Sequence, residues 1–259
     1  MPDLNMTFNE VASLYHDVRP RYPSTLFDRI EAISGFDHRL DVLEIGSGTG
    51  IATRPMLERG WNLTCVEPGH SLADVARFAL ASFPDLRIDV DRFEDWDAQG
   101  VTFDLIVSAT AFHWIKPDTR YTKTHRLLCE GGHLAVLYYR HVAGGDDDLF
   151  EIIQDCYLAH MPGTTREKMP VATKRSPSAR EMRRSGLFDI VESSVRPEVI
   201  TYSTSGYLDL LSTYSGHRAL KPEQLLRLQS CIADVIDRNG GSIRKGYAHE
   251  LVIGRRIEP

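Results

Sequence analysis

Val42-Leu-Glu-Ile-Gly-Ser-Gly-Thr-Gly50 is the stretch that decides the fold of this chain. Leu40 to Ile45 is a short apolar run of the kind that forms a buried β-strand, and three glycines follow it at alternate positions. Glycine has no Cβ, so the main chain can turn sharply there and a ligand can approach the backbone amides. Thr49 to Gly60 then has a helical pattern that stops at a glycine. The stretch predicts a strand, a ligand-binding turn and a helix.

The alternation of strands and helices continues along the chain. Strands separated by helices imply a parallel sheet with right-handed crossovers. We therefore expect an α/β fold with a seven-stranded, mostly parallel sheet and helices on both faces. After the first strand, the remaining strands are predicted at residues 62–66, 86–90, 103–108, 133–139, 187–195 and 245–254, and helices at 71–83, 119–128, 204–213 and 222–238.

Two regions stand apart from this alternation. Residues 1–38 hold a helix at 24–33 and a proline-containing segment before it, and they are predicted to form an N-terminal helical lid. Residues 144–186 are predicted to be a helical insertion after the fifth strand. The chain has 259 residues and single cores grow to roughly 250–300 residues, so we expect one domain. Its parts are the cap at 1–38, the cofactor-binding core at 39–143, the insertion at 144–186 and the completion of the sheet at 187–259.

Composition excludes several classes of partner. The chain has 36 acidic and 30 basic residues and a net charge of −6, which disfavours nucleic acid and anionic membranes. No apolar run reaches the roughly 18 residues of a membrane span, and the N-terminus lacks a signal-peptide pattern. The four cysteines show no zinc-site spacing and no disulfide framework, so a cytoplasmic location is expected. Asp146 to Asp148 reads as a helix N-terminal charge cluster, and no metal is predicted.

A carboxylate downstream of the glycines indicates a nucleoside site. Glu67 lies 17 residues after Gly50, at the end of the second strand, where it can accept both ribose hydroxyl hydrogens. The alternative is that the glycines only form a tight turn and that Glu67 is a surface acid. A dinucleotide-binding fingerprint, GxGxxG or GxGxxA, needs a small residue at its last position, and that position, counted from Gly46, is Ile51 here. This disfavours an NAD(P)-dependent oxidoreductase, which stays an alternative.

These segments resemble class I S-adenosylmethionine-dependent methyltransferases, in particular the small-molecule group sometimes called methyltransferase type 11. Val42 to Gly50 is similar to the first motif of that family, Phe103 to Ser108 to its fourth-strand motif, and Leu127 to Leu134 to its turn into the fifth strand. The opening Tyr15 to Pro23 is similar to a segment of trans-aconitate-methyltransferase-like relatives, where it packs over the cofactor. The resemblance implies a Rossmann-like fold and S-adenosyl-L-methionine as the cofactor.

The resemblance also implies positions for the cofactor. Glu44 and the start of the glycine turn face the methionine part, and Glu67 holds the ribose. The adenine contact departs from the family pattern of an acid followed by a small residue. We expect the Phe93 amide to serve there together with the side chain of Arg92 or Glu94, of which Glu94 accepts hydrogen bonds and better suits an amine. Arg19 is expected to pair with the cofactor carboxylate, and a solvated arginine is the alternative. The predicted cofactor set is Glu44, Gly46, Ser47, Gly48, Gly50, Glu67, Pro68, Phe93, Glu94, Ala109 and Arg19.

His113 is the candidate catalytic residue, because histidine changes charge near neutral pH and this one follows the fourth strand. Alternatively, Phe112 and Trp114 fill the core while His113 makes a fixed hydrogen bond. In resembling proteins a His-Trp pair at this place lines the methionine end of the cofactor site, which favours positioning over proton transfer. The predicted substrate-side residues are Tyr15, Tyr22, Trp114, Tyr139, Tyr214 and His217, where the last two belong to a stretch at 202–218 that is expected to be helical.

These observations predict methyl transfer to a small-molecule acceptor, with oxygen assumed as the methylated atom. The alternatives are a non-catalytic S-adenosylmethionine-binding protein and an NAD(P)-dependent oxidoreductase. The acidic balance and the lack of an Asn-Pro-Pro-Tyr or Asp-Pro-Pro-Tyr motif after the fourth strand argue against methylation of nucleic-acid bases. The sequence does not specify the acceptor or the oligomeric state.

Overall fold

The computed structural model describes residues 11–173 and 175–258, so the first ten residues of the predicted cap lie outside the described residues. The chain divides into two compact units, and each is discontinuous in sequence. Unit 1 takes the chain up to residue 19 together with 139–175 and 195–249. Unit 2 takes residues 20–138, 176–194 and the chain from 250 onwards. The single-domain partition expected from the sequence stays a prediction.

A seven-stranded sheet forms the framework of the described residues, and this confirms the predicted fold class. The strand order is β3-β2-β1-β4-β5-β7-β6. Strand β1 is parallel to both β2 and β4, and β2–β3 and β4–β5 are parallel pairs as well. The strands are β1 (Asp41–Ile45), β2 (Asn62–Val66), β3 (Arg87–Asp89), β4 (Phe103–Ala109), β5 (Leu128–Val142), β6 (Phe188–Ser203) and β7 (Ser242–Arg256).

Unit 2 covers its part of the sheet with apolar side chains on both faces. Successive residues of β1 point to opposite faces, so Val42 joins one buried cluster while Leu43 and Ile45 join another. A central parallel strand needs this double cover, which explains why the stretch at 42–45 is almost continuously apolar. The helices of unit 2 are α2 (Ser24–Ser34), α3 (Thr53–Leu57), α4 (His70–Ala79), α5 (Pro117–Leu127) and α7 (Ser178–Arg184).

Unit 1 has a separate apolar core built from its helices. Phe150, Leu210 and Ile232 are buried in this core. Cys156 and Cys231 form a disulfide, contrary to the expectation from cysteine spacing. The two cysteines are 75 residues apart, and only the packing of their helices brings them together. These helices are α1 (Ala12–Val18), α6 (Asp147–His160), α8 (Thr204–Ser212), α9 (Ser215–Arg218) and α10 (Pro222–Arg238).

Two predicted helices differ from the structure. The helix after the glycine turn is limited to α3, because positive φ angles persist as far as Gly50 and the residues before Thr53 form turns. The stretch at 202–218 is not one helix: β6 runs through Tyr202 to Ser203, the Ser203 hydroxyl caps α8, and a break separates α8 from α9. Helices α6 and α7 lie between β5 and β6 as expected. Within the described part of the chain, no helix is both long and apolar enough to cross a bilayer.

Candidate cofactor and substrate site

The glycine turn after β1 has the backbone geometry that only glycine adopts easily. The φ angles of Gly46, Gly48 and Gly50 are 72°, 56° and 84°, in the left-handed region. A Cβ at Gly46 would lie 2.3 Å from the Cβ of Ala111, so a side chain there clashes with the segment after β4. A Cβ at Gly48 would meet nothing within 4 Å. The first glycine is therefore needed for packing, whereas the middle one borders open space.

Glu67 braces this turn with its carboxylate. Its Oε2 accepts a hydrogen bond from the Gly48 amide and its Oε1 one from the Gly69 amide, both at 2.8 Å. Pro68 lies between Glu67 and Gly69 in the chain. The side chain is only 5% exposed, and burial raises its pKa although both amides act to lower it. Each oxygen keeps a second lone pair that can accept a hydroxyl hydrogen.

Glu44 and Ser47 leave buried polar atoms without partners beside the turn. Glu44 Oε2 accepts hydrogen bonds from the hydroxyl of Thr53 at 2.6 Å and the thiol of Cys65 at 3.6 Å. Glu44 Oε1 and Ser47 Oγ have no hydrogen-bond partner among the described residues. Burial raises the pKa of Glu44 to about 7, against the lowering effect of Thr53 and Cys65. Buried polar atoms are normally paired, so these two fit a polar ligand in the turn.

The predicted adenine contact lies on a loop that a lysine holds in place. Phe93 is buried, and Glu94 Oε1 accepts a hydrogen bond from the Lys116 amide at 3.0 Å. The ammonium group of Lys123 on α5 donates to the carbonyl oxygens of Phe93, Glu94 and Trp96. It also lies 5.0 Å from the centre of the Phe93 ring. Sequence reasoning missed Lys123, because no local pattern links it to a loop about 30 residues away.

The segment after β4 is strained and tied to the N-terminal part of unit 2. Thr110, which follows Ala109, has a φ of 56°, although it is not glycine. Its hydroxyl lies 2.6 Å from the hydroxyl of Tyr22. Non-glycine residues in this region cost about 1–3 kcal/mol and cluster at functional sites. The predicted substrate residue Tyr22 therefore contacts a strained residue next to the glycine turn.

His113 and Trp114 lie on a short 3-10 helix after this segment. The His113 ring packs against Trp114 at 4.9 Å and against the edge of Tyr138 at 5.7 Å. Trp114 is 42% exposed. Desolvation and the nearby Arg120 guanidinium lower the pKa of His113. A neutral imidazole at physiological pH can accept a proton, so the chemistry predicted for His113 is available to it.

A cavity of about 260 Å³ lies within unit 2 beside the segment that follows β4. Ala111, whose Cβ faces Gly46, lines it together with His113 and Tyr138. The ion pair between Arg120 and Glu181, 2.9 Å apart, lies in the same wall. Arg120 Nε is buried and has no hydrogen-bond partner among the described residues. The cavity thus combines aromatic walls with an unused hydrogen-bond donor.

In unit 1, four of the predicted residues form one cluster. Arg19 donates from Nε to the Thr213 hydroxyl and from Nη2 to its carbonyl, both at 2.8 Å, and from Nη1 to the Tyr139 hydroxyl at 3.2 Å. The guanidinium carbon lies 4.6 Å from the ring centres of both Tyr15 and Tyr214. Burial acts to lower the pKa of Arg19, but Tyr139, Tyr15 and Tyr214 outweigh it, so the pKa is raised. The guanidinium remains a cation.

His217 and Lys245 complete this cluster. Nε2 of the buried His217 lies 3.0 Å from the Tyr157 hydroxyl, and burial together with the charge of Lys245 lowers the pKa of His217 to about 4. The Lys245 ammonium donates a hydrogen bond to the Tyr214 hydroxyl at 3.2 Å. Sequence reasoning treated Lys245 only as the start of a strand and missed this contact.

The acidic run before α6 serves the helix and a neighbouring arginine. Asp147 and Asp148 occupy the first turn of α6, as predicted. Asp146 accepts hydrogen bonds from the amide and the guanidinium of Arg244. Over residues 11–173 and 175–258, no group of three or more His, Cys, Asp and Glu side chains is placed to hold a metal ion.

Comparison with known proteins identifies the part of the chain that carries the glycine turn. Residues 43–134 match the family model described as a methyltransferase domain. An uncharacterised methyltransferase of Mycobacterium tuberculosis is 28% identical over 136 residues, 52% of this chain and 53% of that protein. The malonyl-acyl-carrier-protein O-methyltransferase 1 of Ilyobacter polytropus is 27% identical over 51% of this chain and 50% of its own. The chain thus spans about half the length of the curated relatives it matches.

The fold agrees with this match. A solved structure of a type II methyltransferase candidate from Anaeromyxobacter dehalogenans superposes with a TM-score of 0.64 and 20% identity, covering 92% of this chain and 97% of that one. The superposition covers most of the chain, whereas the family match is confined to the segment from β1 to β5. Residues 43–134 are thus similar to a methyltransferase domain, and the likeness to the solved structure shows a shared fold.

Proposed function

We propose that this protein transfers a methyl group from S-adenosyl-L-methionine to a small-molecule acceptor. The observation that carries the proposal is the pairing of the Gly48 amide with the Glu67 carboxylate beside open space. This hydrogen bond holds the Glu67 carboxylate, which can accept hydroxyl hydrogens, beside a turn without side chains. Such an arrangement suits the sugar of a nucleoside. The unpartnered Glu44 and Ser47 oxygens support a polar ligand at the same turn.

Groups of unit 2 suit the ribose, the methionine end and the adenine of the cofactor, and the pairing of Arg19 with the cofactor carboxylate stays a prediction. Glu67 is positioned to accept the ribose hydroxyls with its free lone pairs, and Glu44 with Ser47 would meet the methionine end. The loop at Phe93 and Glu94, which Lys123 holds, would take the adenine. The bound cofactor supplies an electrophilic methyl group on a sulfonium. The residues of the chain bind and orient it, and such orientation supplies much of the rate of an in-line transfer.

The cavity beside Ala111 is the acceptor site that we favour in unit 2. Its aromatic walls suit a compact organic molecule, and the unused Arg120 donor suits an oxygen acceptor atom on it. Neutral His113 borders the cavity and can accept a proton from a hydroxyl or carboxyl group. The name of the Ilyobacter polytropus relative specifies O-methylation, which supports oxygen as the methylated atom here. Tyr22 and Trp114 remain proposed acceptor contacts.

Calorimetry with S-adenosylhomocysteine tests the cofactor site. We expect binding by the wild type and a loss of about tenfold or more in Glu67→Gln, since a hydrogen bond to a charged group contributes about 1.5–3 kcal/mol. Glu58→Gln is the matched control, because Glu58 is an exposed carboxylate just after α3. Equal binding by wild type and Glu67→Gln would refute the assignment of the ribose site.

A turnover screen tests the transfer itself. The wild type is incubated with S-adenosylmethionine and a deproteinised metabolite extract, and formation of S-adenosylhomocysteine is measured. Turnover that depends on the extract supports the proposal. Tight cofactor binding without turnover in any fraction would favour the alternative of a non-catalytic binding protein, since a fold alone does not establish activity.

A further inference from the structure

A second cavity of unit 2, of about 470 Å³, lies between the end of α2 and three neighbouring strands of the sheet. Strands β5, β7 and β6 are adjacent in the strand order, and they line the cavity with His133, Arg255 and Val191 respectively. Helix α2 ends at Ser34, and Gly35 follows it with a φ of 68°. Small-molecule sites have volumes of roughly 300–1,000 Å³, so the cavity can hold a small organic ligand.

This cavity is separate from the sites proposed above for the cofactor and the acceptor. His133 pairs with Leu105 near the start of β4, whereas the glycine turn follows the end of β1. Strands β1 and β4 are parallel, so the two places lie toward opposite ends of these strands. Among the described residues, none lines both this cavity and the one beside Ala111. A ligand bound here would occupy a second site.

His133 is buried in the wall of this cavity and lacks a partner. The residue is only 5% exposed, and its Nδ1 has no hydrogen-bond partner among the described residues. Burial and the charge of Arg255 lower the pKa of His133, so the ring is neutral near pH 7 and carries one N–H donor. Buried polar atoms are normally paired. A hydrogen-bonding ligand in the cavity would supply the missing partner.

Arg255 adds a positive charge to the same wall. Its Nη2 lies 3.9 Å from the position that a Cβ at Gly131 would take, and Gly131 also lines the cavity. In the part of the chain that the structure describes, no Asp or Glu side chain lines this cavity, and Arg255 forms no ion pair. The wall therefore carries a positive charge without a compensating acid, which favours an anionic ligand.

The end of α2 accounts for only part of this arrangement. The carbonyl groups at the carboxyl end of a helix carry a partial negative charge that favours a cation. Helix α2 has no basic residue in its last turn, and Arg255 lines the same cavity as Ile33 and Ser34 at the end of this helix. The helix end thus explains a nearby guanidinium, but it leaves the buried nitrogen of His133 unpaired. A guanidinium has five N–H donors, so donors remain for a ligand.

We propose that this cavity binds a small organic carboxylate, whose oxygens pair with the guanidinium of Arg255 and the imidazole of His133. Guanidinium suits a carboxylate because two parallel N–H groups match its two oxygens. Ile33, Phe36 and Val191 line other parts of the cavity and cover the apolar part of the ligand. Val191 is 43% exposed, so its contact with the ligand would bury apolar surface. This site does not depend on the proposed methyl transfer.

Calorimetry with phenylacetate, in the presence of excess S-adenosylhomocysteine, tests the binding. We expect a dissociation constant on the order of 1 mM for a probe of this size. Arg255→Met should weaken binding about tenfold or more, because a charge-assisted hydrogen bond is lost. Arg126→Met is the matched control, since Arg126 is another exposed arginine of unit 2. Absence of saturable binding in the wild type, or equal binding by wild type and Arg255→Met, would overturn the proposal.

Two related probes test the ligand class. 2-Phenylethanol has the same ring without the carboxylate, and acetate has the carboxylate without the ring. Both should bind more weakly than phenylacetate. Equal affinity for 2-phenylethanol would contradict an anion site, and equal affinity for acetate would contradict the role of the apolar wall.

Nuclear magnetic resonance locates the bound probe. The ring C–H signals of His133, identified by their loss in His133→Gln, should shift when phenylacetate is added to the wild type. The same addition should leave them in place in Arg255→Met. Phenylacetate that binds without moving the His133 signals would occupy another site, such as the cavity beside Ala111, and the assignment to this cavity would be wrong.

Discussion

Replacement of Glu44 by glutamine should make the stability of unit 2 less sensitive to alkaline pH. Glu44 is fully buried on β1, and no cation among the described residues contributes to its pKa. Burial raises its pKa from 4.5 to about 7. Glutamine keeps the length of the side chain and an oxygen for the Thr53 hydroxyl, but it cannot ionise.

The magnitude follows from the pKa. A shift from 4.5 to about 7 corresponds to about 3 kcal/mol, at about 1.4 kcal/mol for each unit. Because the pKa is higher in the folded state, the neutral form stabilises the protein fully below about pH 4.5, and this contribution is lost as the pH rises through about 7. The free energy of unfolding of Glu44→Gln, relative to wild type, should therefore increase by about 3 kcal/mol between acid and mildly alkaline pH.

Urea unfolding followed by tryptophan fluorescence measures this difference. The three tryptophans, Trp61, Trp96 and Trp114, all belong to unit 2, so their emission reports the unit that contains Glu44. Glu58→Gln provides the control for removal of an exposed carboxylate. If the stabilities of wild type and Glu44→Gln change in parallel from pH 5 to 8, then burial does not keep this carboxyl neutral and the reasoning is wrong.

Three further predictions concern packing, the adenine loop and the disulfide. Gly46→Ala should destabilise unit 2 by about 1–3 kcal/mol in urea unfolding, because its Cβ would lie 2.3 Å from that of Ala111; wild-type stability would contradict this. Lys123→Met should weaken S-adenosylhomocysteine binding about tenfold in calorimetry, because three loop carbonyls lose their donor; unchanged affinity would show that this loop does not bind the ligand. Cys231→Ser opens a 75-residue loop closed by Cys156 and should cost about 4 kcal/mol in far-ultraviolet circular dichroism unfolding curves; an unchanged midpoint would exclude the cross-link in solution.

Features that depend only on a short stretch of residues could be predicted from the sequence. The bounds of β2, residues 62–66, agree with the structure, and the glycine turn lies where the glycines indicate. Both follow from local apolar patterning and backbone freedom, which need no distant contact. The helix predicted from Thr49 begins only at Thr53, because the positive φ angles of the glycines extend the turn. The spacing of apolar residues carries no information about those angles.

Contacts between distant segments could not be predicted in this way. Lys123 on α5 donates a hydrogen bond to the loop at Phe93, 30 residues earlier in the chain, and Lys245 donates one to Tyr214, 31 residues earlier. The disulfide joins two helices whose sequences show no shared pattern. In each case the residue type is ordinary for its position in the sequence, and only its contacts in the folded protein show its structural role.

Glu44 and Tyr214 illustrate why the neighbourhood decides the chemistry. Burial disfavours the charged form of both groups, and by itself it would keep both neutral. Burial and the charge of Glu67 raise the pKa of Glu44 more than its neutral donors lower it, whereas the cations Lys245 and Arg19 beside Tyr214 outweigh burial and lower its pKa. Tyr207 is buried in the same cluster, and burial together with the neighbouring tyrosines raises its pKa well above the usual value. Removal of the Lys245 charge should therefore raise the pKa of Tyr214, and an absorbance titration in which wild type and Lys245→Met ionise their tyrosines alike would contradict this reasoning.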